Sequence, residues 1–261
     1  LACYAASTRH PARERQVRLL KARDDIAGVE RLLDEIQSQP WSAEEQDFAE
    51  GFGSRRRCQI PTTQVRLTAP VSARIEHHAM EQLACSGRRV WHLENSFPLS
   101  LAGLAYWPIV FAEVPGAFVN PFQAGPVDLY WEDFLTPRQA LFEAQEAKLA
   151  EDIGAVLRTT YAAKAGVNNR LVSWGAFTPE VLAAVLATIP PSDLHRLARY
   201  VLQNLARARV GFPDLLVLGE PGYYEFVEVK GPTDRLQPAQ RIWFKTLAGF
   251  DLPARVLKFT D

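Results

Sequence analysis

Asp214, Glu228 and Lys230 are the residues whose types and spacing could do chemistry. Asp214 follows Gly211-Phe212-Pro213 and precedes the apolar run Leu215-Leu216-Val217-Leu218. Gly219-Glu220-Pro221-Gly222 has the composition of a turn, and Tyr223 to Val229 is rich in strand formers. If the turn closes a hairpin, residues equidistant from it face one another. Asp214 is then set beside Glu228 to within about one residue of register. Side chains two apart on a strand share a face, so Glu228 and Lys230 point the same way. Val229 points to the other face, with its backbone carbonyl near the two carboxylates.

Two carboxylates and a carbonyl converging at one point make a hard-oxygen site suited to one or two ions of Mg²⁺ or Mn²⁺. Such an ion can polarise a phosphodiester oxygen and activate a water. Lys230 is placed to orient that water or to offset charge in the transition state. Acid, acid and lysine in an otherwise apolar sheet are also costly unless paired or metal-bound. Glu-x-Lys alone fits any exposed hairpin with a surface ion pair. Pro-Asp before one strand and Glu-x-Lys-Gly-Pro at the end of the next, followed by a helix, is far more restrictive.

The elements that must hold these residues can be read along the chain. Residues 11 to 36 have apolar positions at helical spacing from Val17 to Ile36, with a break near Asp24-Asp25 that suggests a helical hairpin. This resembles the last unit of a helical-repeat array of the TPR type, and it sets residues 1–40 apart. Gly51, Gly53, the triplet Arg55-Arg56-Arg57, Pro61 and Pro70 mark 41–70 as a connector. Residues 71–261 form the remaining domain. Helices are expected over 71–85 and 95–111, the second buried and ended or kinked by Pro108. Others are expected over 136–157 with Thr136 as cap before Pro137, and over 178–189 and 191–208. The hairpin strands, a helix over 238–249 and a strand over 254–259 close the chain. This is a mainly helical domain ending in β-β-α-β, hence an α/β or α+β core.

Composition sets the outer bounds. With 48% apolar and 23% charged residues the chain has an ordinary globular make-up, and no run is apolar enough for a membrane span. The formal net charge of −1 denies it the overall basic balance of many nucleic-acid binders. Contact with DNA would have to come from local clusters such as Arg55-Arg56-Arg57 or Arg207 and Arg209. Cys3, Cys58 and Cys85 have neither zinc-ligand spacing nor a disulfide framework, which fits a reducing intracellular setting, cytoplasmic or nuclear according to the host. The first residue is Leu, so a fragment of a longer polypeptide is expected.

The segments Gly211-Phe-Pro-Asp-Leu-Leu-Val, Val227-Glu-Val-Lys-Gly-Pro-Thr-Asp-Arg-Leu and Gln240-Arg-Ile-Trp243 together resemble the virus-type replication-repair nuclease (VRR-Nuc) family. Its core is restriction-endonuclease-like, of the PD-(D/E)-x-K class. Upstream, His92-Leu-Glu94-Asn-Ser96, Phe122-Gln123-Ala-Gly-Pro-Val-Asp128-Leu129 and Leu171-Val-Ser-Trp174 match in the same order. The resemblance spans about residues 75–261 and is greatest to the Fanconi-anaemia-associated branch, which places helical repeats before its nuclease domain. It implies Glu94, Asp214 and Glu228 as metal-binding acids, the Val229 carbonyl as a further ligand, Lys230 as catalytic and Gln123 as an accessory site residue. Asn95 stands where glycine is expected. Arg207 and Arg209 lie near the place of a basic pocket for a 5′ phosphate. The activity implied is 5′-flap endonuclease and 5′-to-3′ exonuclease action in DNA repair, particularly of interstrand crosslinks. The partners implied are flapped or branched DNA and proteins bound by the helical repeats.

Two rivals remain open. One is a four-way-junction resolvase or restriction-like enzyme; such enzymes pair as dimers, which the extra helices at 130–208 would obstruct, so a monomer is expected. The other is a non-catalytic scaffold with a degenerate nuclease fold. His77-His78 face different ways on a helix and read as ordinary histidines, as does His195. His92, two residues before Glu94, is a candidate neighbour of the site. Asp234 or Thr233 could cap the segment after the active strand, or, with Arg235, touch a DNA backbone. Trp107, Trp174 and Trp243 read as core, and Gln240, three residues before Trp243, as able to reach the site.

Overall fold

The computed structural model describes residues 2–7, 11–52, 59–67, 74–84 and 87–260. The arginine triplet, Cys58 and Cys85 lie outside them. The chain opens with α1 (Ala2–Ala5), α2 (Ala12–Lys21), α3 (Ile26–Ser38) and α4 (Ala43–Gly51). The expected break is present: Asp24 takes a left-handed φ of 55°, and Asp25 caps α3 by accepting from the Gly28 N–H at 2.9 Å. Val17, Ile36 and Ala49 make the small core of these helices. Arg13 is buried there between the carboxylate of Glu45 (2.9 and 2.5 Å) and the ring of Trp41. A repeat array stacks copies of its unit, and the described residues hold one hairpin followed by α4. One hairpin does not establish a repeat, so the TPR-type reading is not confirmed.

Among the described residues the sheet has five strands: β1 (Thr62–Arg66), β2 (Arg89–His92), β3 (Leu215–Leu218), β4 (Tyr224–Lys230) and β5 (Ala254–Thr260), in the order β1-β5-β4-β3-β2. β2–β3 and β3–β4 are antiparallel, whereas β4–β5 and β1–β5 are parallel. β1 and β2 were not expected. β1 lies within 41–70, so that stretch supplies both α4 and an edge strand of the sheet. Its sequence, TTQVR, is almost wholly exposed and carries no apolar alternation to announce it.

The two faces of the sheet are covered differently. On one, α5 (Ile75–Ala84) brings Ala79 and Leu83 against Leu215, Val217, Val227, Val229, Leu257 and Phe259. On the other, Leu216, Leu218, Tyr224 and Phe226 join a large helical core. That core is built from α6 (Ser96–Ala105), α7 (Trp107–Val110), α8 (Gln139–Lys164), α9 (Pro179–Thr188), α10 (Pro191–Gln203), α11 (Leu205–Ala208) and α12 (Pro238–Gly249).

Several boundaries differ from expectation for local reasons. The helix expected over 95–111 is broken at Tyr106, and Pro108 sits in the first turn of α7, where its missing N–H costs nothing. Thr136 is not a side-chain cap: Thr136–Arg138 is a 3₁₀ turn, and buried Arg138 anchors it through Asp128 at 2.7 and 3.1 Å. α8 runs past 157 to Lys164, with a kink at Asp152, whose carboxylate accepts from the Ala155 N–H. The helix expected over 191–208 breaks at Asn204.

Candidate active site

The β3–β4 register pairs Leu215 with Val227, so the next pair outward is Asp214 with Glu228, as the hairpin argument requires. Asp214 Oδ2 accepts the Val229 N–H at 2.8 Å. A strand residue sends its N–H and C=O toward the same neighbour, so the Val229 carbonyl faces the Asp214 side as well. Glu228 is buried on the same face as Phe226. Its Oε1 takes two donors, Lys230 Nζ at 2.8 Å and Gln240 Nε2 at 2.5 Å. Its Oε2 is buried and has no hydrogen-bond partner among the described residues. A buried carboxylate oxygen without a donor is costly, and a cation is the natural partner for it.

Glu94 reaches this place through the backbone. β2 pairs His92 with Leu215, and beyond that pair the N–H groups of Leu93 and Glu94 both donate to the Asp214 carbonyl, each at 3.1 Å. Glu94 itself adopts a left-handed φ of 44°, a strained conformation of order 1 kcal/mol for a side chain of this kind. Asn95 is right-handed (φ −62°, ψ −18°), so no glycine is needed there. Its side chain instead accepts the Phe212 N–H at 3.0 Å and pins the loop that leads into Asp214. Ligand atoms of His92, Glu94 and Asp214 lie within 4.8 Å of one another. His92 Nε2 is 3.0 Å from Glu94 Oε1, a contact that can orient the carboxylate.

The electrostatics follow from this crowding. Burial first, then the neighbouring charges of Asp214 and Glu94, push the Glu228 carboxyl from its ordinary 4.5 up to about 7 against the opposing pull of Lys230. Asp214 is also raised, first by burial and further by Glu94, against the Val229 N–H and Lys230. Acids held above their ordinary range by burial and by one another are what a divalent cation relieves. Together with the unpartnered Oε2, the residues present fit such an ion.

The other expected residues make the following contacts. Gln123 uses its amide within its own loop: Oε1 accepts from the N–H groups of Val119 (2.7 Å) and Asn120 (3.3 Å), and Nε2 donates to the carbonyls of Ala117 (3.3 Å) and Gly125 (3.0 Å). It makes no hydrogen bond to the acids. Arg207 bonds Asn204 Oδ1 at 3.0 Å, and Arg209 stacks over Tyr130. Both line a cleft of about 930 Å³ between residues 38–44 and the segments 129–135 and 202–210. Asp234 accepts the Gly231 N–H at 3.0 Å and so closes the turn after β4. Trp243 is buried edge-on against Phe212, and its indole donates to the Val210 carbonyl. Gln240, one helical turn before it, does reach Glu228. Reasoning from sequence missed that Asn95 carries a structural bond; no pattern in the sequence signalled it.

Comparison with known proteins places this geometry. Residues 149–260 match the VRR-NUC domain model, which takes in Asp214, Glu228 and Lys230 but not Glu94. The Fanconi-associated nuclease 1 homolog of Pseudomonas aeruginosa is 32% identical over 269 aligned positions, covering 97% of this chain and 48% of the relative. The Arabidopsis thaliana homolog is 35% identical over 181 positions, 64% of this chain and 20% of the relative. Human Fanconi-associated nuclease 1 is 34% identical over 163 positions, 60% of this chain and 16% of the relative. Among solved structures, paFAN1 bound to 1-nucleotide 5′-flap DNA with a gap superposes with a TM-score of 0.80 at 31% identity, over 98% of this chain and 50% of that one. Its complex with a 2-nucleotide 5′ flap gives 0.81. The chain spans about half the length of the bacterial relative it matches. It carries a VRR-NUC domain over residues 149–260 and is a homologue of the Fanconi-associated nucleases.

Proposed function

We propose that this chain is a metal-dependent, structure-selective DNA nuclease that cleaves 5′ flaps, acts as a 5′-to-3′ exonuclease and serves DNA repair, including that of interstrand crosslinks. The observation that carries the reading is Glu228: a buried carboxylate with both donors on one oxygen, the other oxygen unpartnered, and Asp214 beside it. Glu94, Asp214, Glu228 and the Val229 carbonyl would hold Mg²⁺ or Mn²⁺. When bound, the ion supplies Lewis acidity toward the phosphodiester and stabilises developing negative charge. Lys230, held on Glu228, orients the attacking water or offsets charge on the phosphoryl oxygens. Gln123 shapes its own loop through its amide and is kept as an accessory site residue. Arg207 and Arg209, in the cleft, are the proposed holders of a 5′ phosphate, where guanidinium groups pair well. DNA is the partner that the two flap-bound complexes of paFAN1 support for this chain.

Titration of Mn²⁺ against labelled 5′-flap and four-way-junction DNA tests the reading. Flap cleavage that rises with Mn²⁺ and stops in excess EDTA is expected. Preference for the junction would favour the resolvase, and undiminished cleavage in excess chelator would overturn the metal mechanism. No cleavage of either DNA at any Mn²⁺ concentration would favour the scaffold.

A further inference from the structure

α12 connects Glu228 to the helices at the start of the chain. In its first turn Gln240 bridges two partners: Oε1 accepts the Gln237 N–H at 2.9 Å, and Nε2 donates to Glu228 Oε1 at 2.5 Å. The next residue, Arg241, donates through Nε and Nη2 to Asp47 Oδ2 of α4, at 2.9 and 2.7 Å. Its Nη1 donates to the Leu236 carbonyl at 2.5 Å, so one guanidinium holds both α4 and the loop entering α12. Lys245, one turn on, reaches Asp47 Oδ1 (3.3 Å) and Glu50 Oε2 (2.7 Å), also on α4. Burial works to raise the Asp47 carboxyl, yet the bonds and charges of Arg241 and Lys245 prevail and hold it below its ordinary range.

The opposite side of α12 has no slack. Gly211 has a φ of +87°, and a Cβ there would stand 2.7 Å from the Ala239 carbonyl carbon and 2.9 Å from Gln240 N. The first turn of the helix therefore rests directly on the loop three residues before Asp214. Trp243 fixes the next turn to the Val210 carbonyl at 3.0 Å. α12 is thus held between α4 and the loop that leads into Asp214.

We infer that Asp47 is a positioning residue for the catalytic centre: through Arg241 it sets the first turn of α12, which keeps Gln240 on Glu228 Oε1 and leaves Oε2 free to hold an ion. The inference rests on the nuclease reading and gives the N-terminal helices a part in catalysis. Partly exposed ion pairs contribute little stability, so the effect of Asp47 should lie in orientation.

The test uses Asp47→Asn, Asp47→Glu and Gln240→Ala, with Mn²⁺ calorimetry beside flap-cleavage kinetics. Asp47→Asn should lower kcat about tenfold with KM for the flap unchanged, since small misplacements near reacting groups cost that much or more. It should weaken Mn²⁺ binding several-fold while the thermal midpoint barely moves. Asp47→Glu should restore most of both. In a Gln240→Ala background, Asp47→Asn should cause no further loss. Multiplicative losses in the double variant, an effect on KM alone, or Mn²⁺ binding equal to wild type would each overturn the inference. A wild-type chain that binds Mn²⁺ but cleaves no DNA would sink the nuclease reading instead, and the calorimetric comparison would still decide the role of Asp47.

Discussion

Replacing Glu228 with glutamine should change how stability depends on pH before it changes anything else. In the ion-free protein the Glu228 carboxyl titrates near 7 rather than 4.5, mainly through burial and then through Asp214. A raised folded-state value means that the folded chain binds the proton more tightly than the unfolded chain. The corresponding stability is fully present below the ordinary value and is lost as pH rises through about 7. Between pH 5 and pH 8 the loss is on the order of 2–3 kcal/mol, because each tenfold difference in proton affinity is worth about 1.4 kcal/mol. For a chain of this size that is a fall of about 5–10 °C in melting temperature. Glu228→Gln keeps the shape and the acceptor oxygen but removes the titrating group. In EDTA, its melting temperature should fall by several degrees less than that of the wild type over the same pH range. Adding Mn²⁺ at pH 8 should raise the wild-type midpoint strongly and the variant's weakly, because binding at the acids removes their repulsion. Calorimetric scans at pH 5, 6.5 and 8, with and without Mn²⁺, measure both effects. Parallel pH dependences for the two proteins in EDTA would refute the claim that Glu228 is a strained buried acid.

Other substitutions separate the roles assigned above. Lys230→Ala should lose about a hundredfold or more in cleavage rate while still binding Mn²⁺ by calorimetry, since its proposed role is to orient the water or offset charge at the phosphate and not to hold the ion; loss of ion binding would contradict that role. Glu94→Gln should leave the ion-free melting temperature close to wild type, weaken Mn²⁺ affinity and cut the rate roughly 10–100-fold; wild-type flap cleavage at limiting Mn²⁺ would remove Glu94 from the ligands. Replacing Arg207 and Arg209 together should weaken binding to 5′-phosphorylated flaps more than to unphosphorylated ones, and the wild-type affinity should fall steeply with salt. Equal losses on the two substrates would reduce these arginines to general backbone contacts.

What was legible in the sequence tracks how local the determining contacts are. The β3–β4 hairpin could be placed because its turn and both strands lie within 215–230, and the symmetry of the turn sets Asp214 opposite Glu228. Gln240 was within reach of reasoning because three residues on a helix return nearly to the same side, and Trp243 marks the buried side. β1 and β2 were not legible. Each is only four or five residues long, β1 almost wholly exposed and β2 with just two apolar residues, and each is defined by partners far along the chain: Thr62 opposite Val256 and Arg89 opposite Leu218. No periodicity within such a segment can announce a strand whose pairing energy comes from elsewhere.

Glu94 shows the same limit at the site itself. Nothing near it in sequence ties it to Asp214, and only the family resemblance suggested the pairing. In the fold the tie is made by backbone: the Asp214 carbonyl accepts from both Leu93 and Glu94, and Asn95 holds Phe212 from the other side. Two consecutive N–H groups converge on one oxygen only if the chain turns sharply at the second of them, and the left-handed φ of Glu94 is that turn. The conformational cost at Glu94 is therefore inseparable from its position beside Asp214. Asn95 allows the turn without glycine because the strain is at Glu94, while its own amide anchors the incoming loop. A glycine at 95 would keep the backbone path but lose that anchor, so Asn95→Gly should loosen Asp214 rather than Glu94. The site is preorganised by main-chain bonds between β2, the loop after it and the strand that begins at Leu215. That is why its acids can be named from a motif while the geometry that makes them a site cannot.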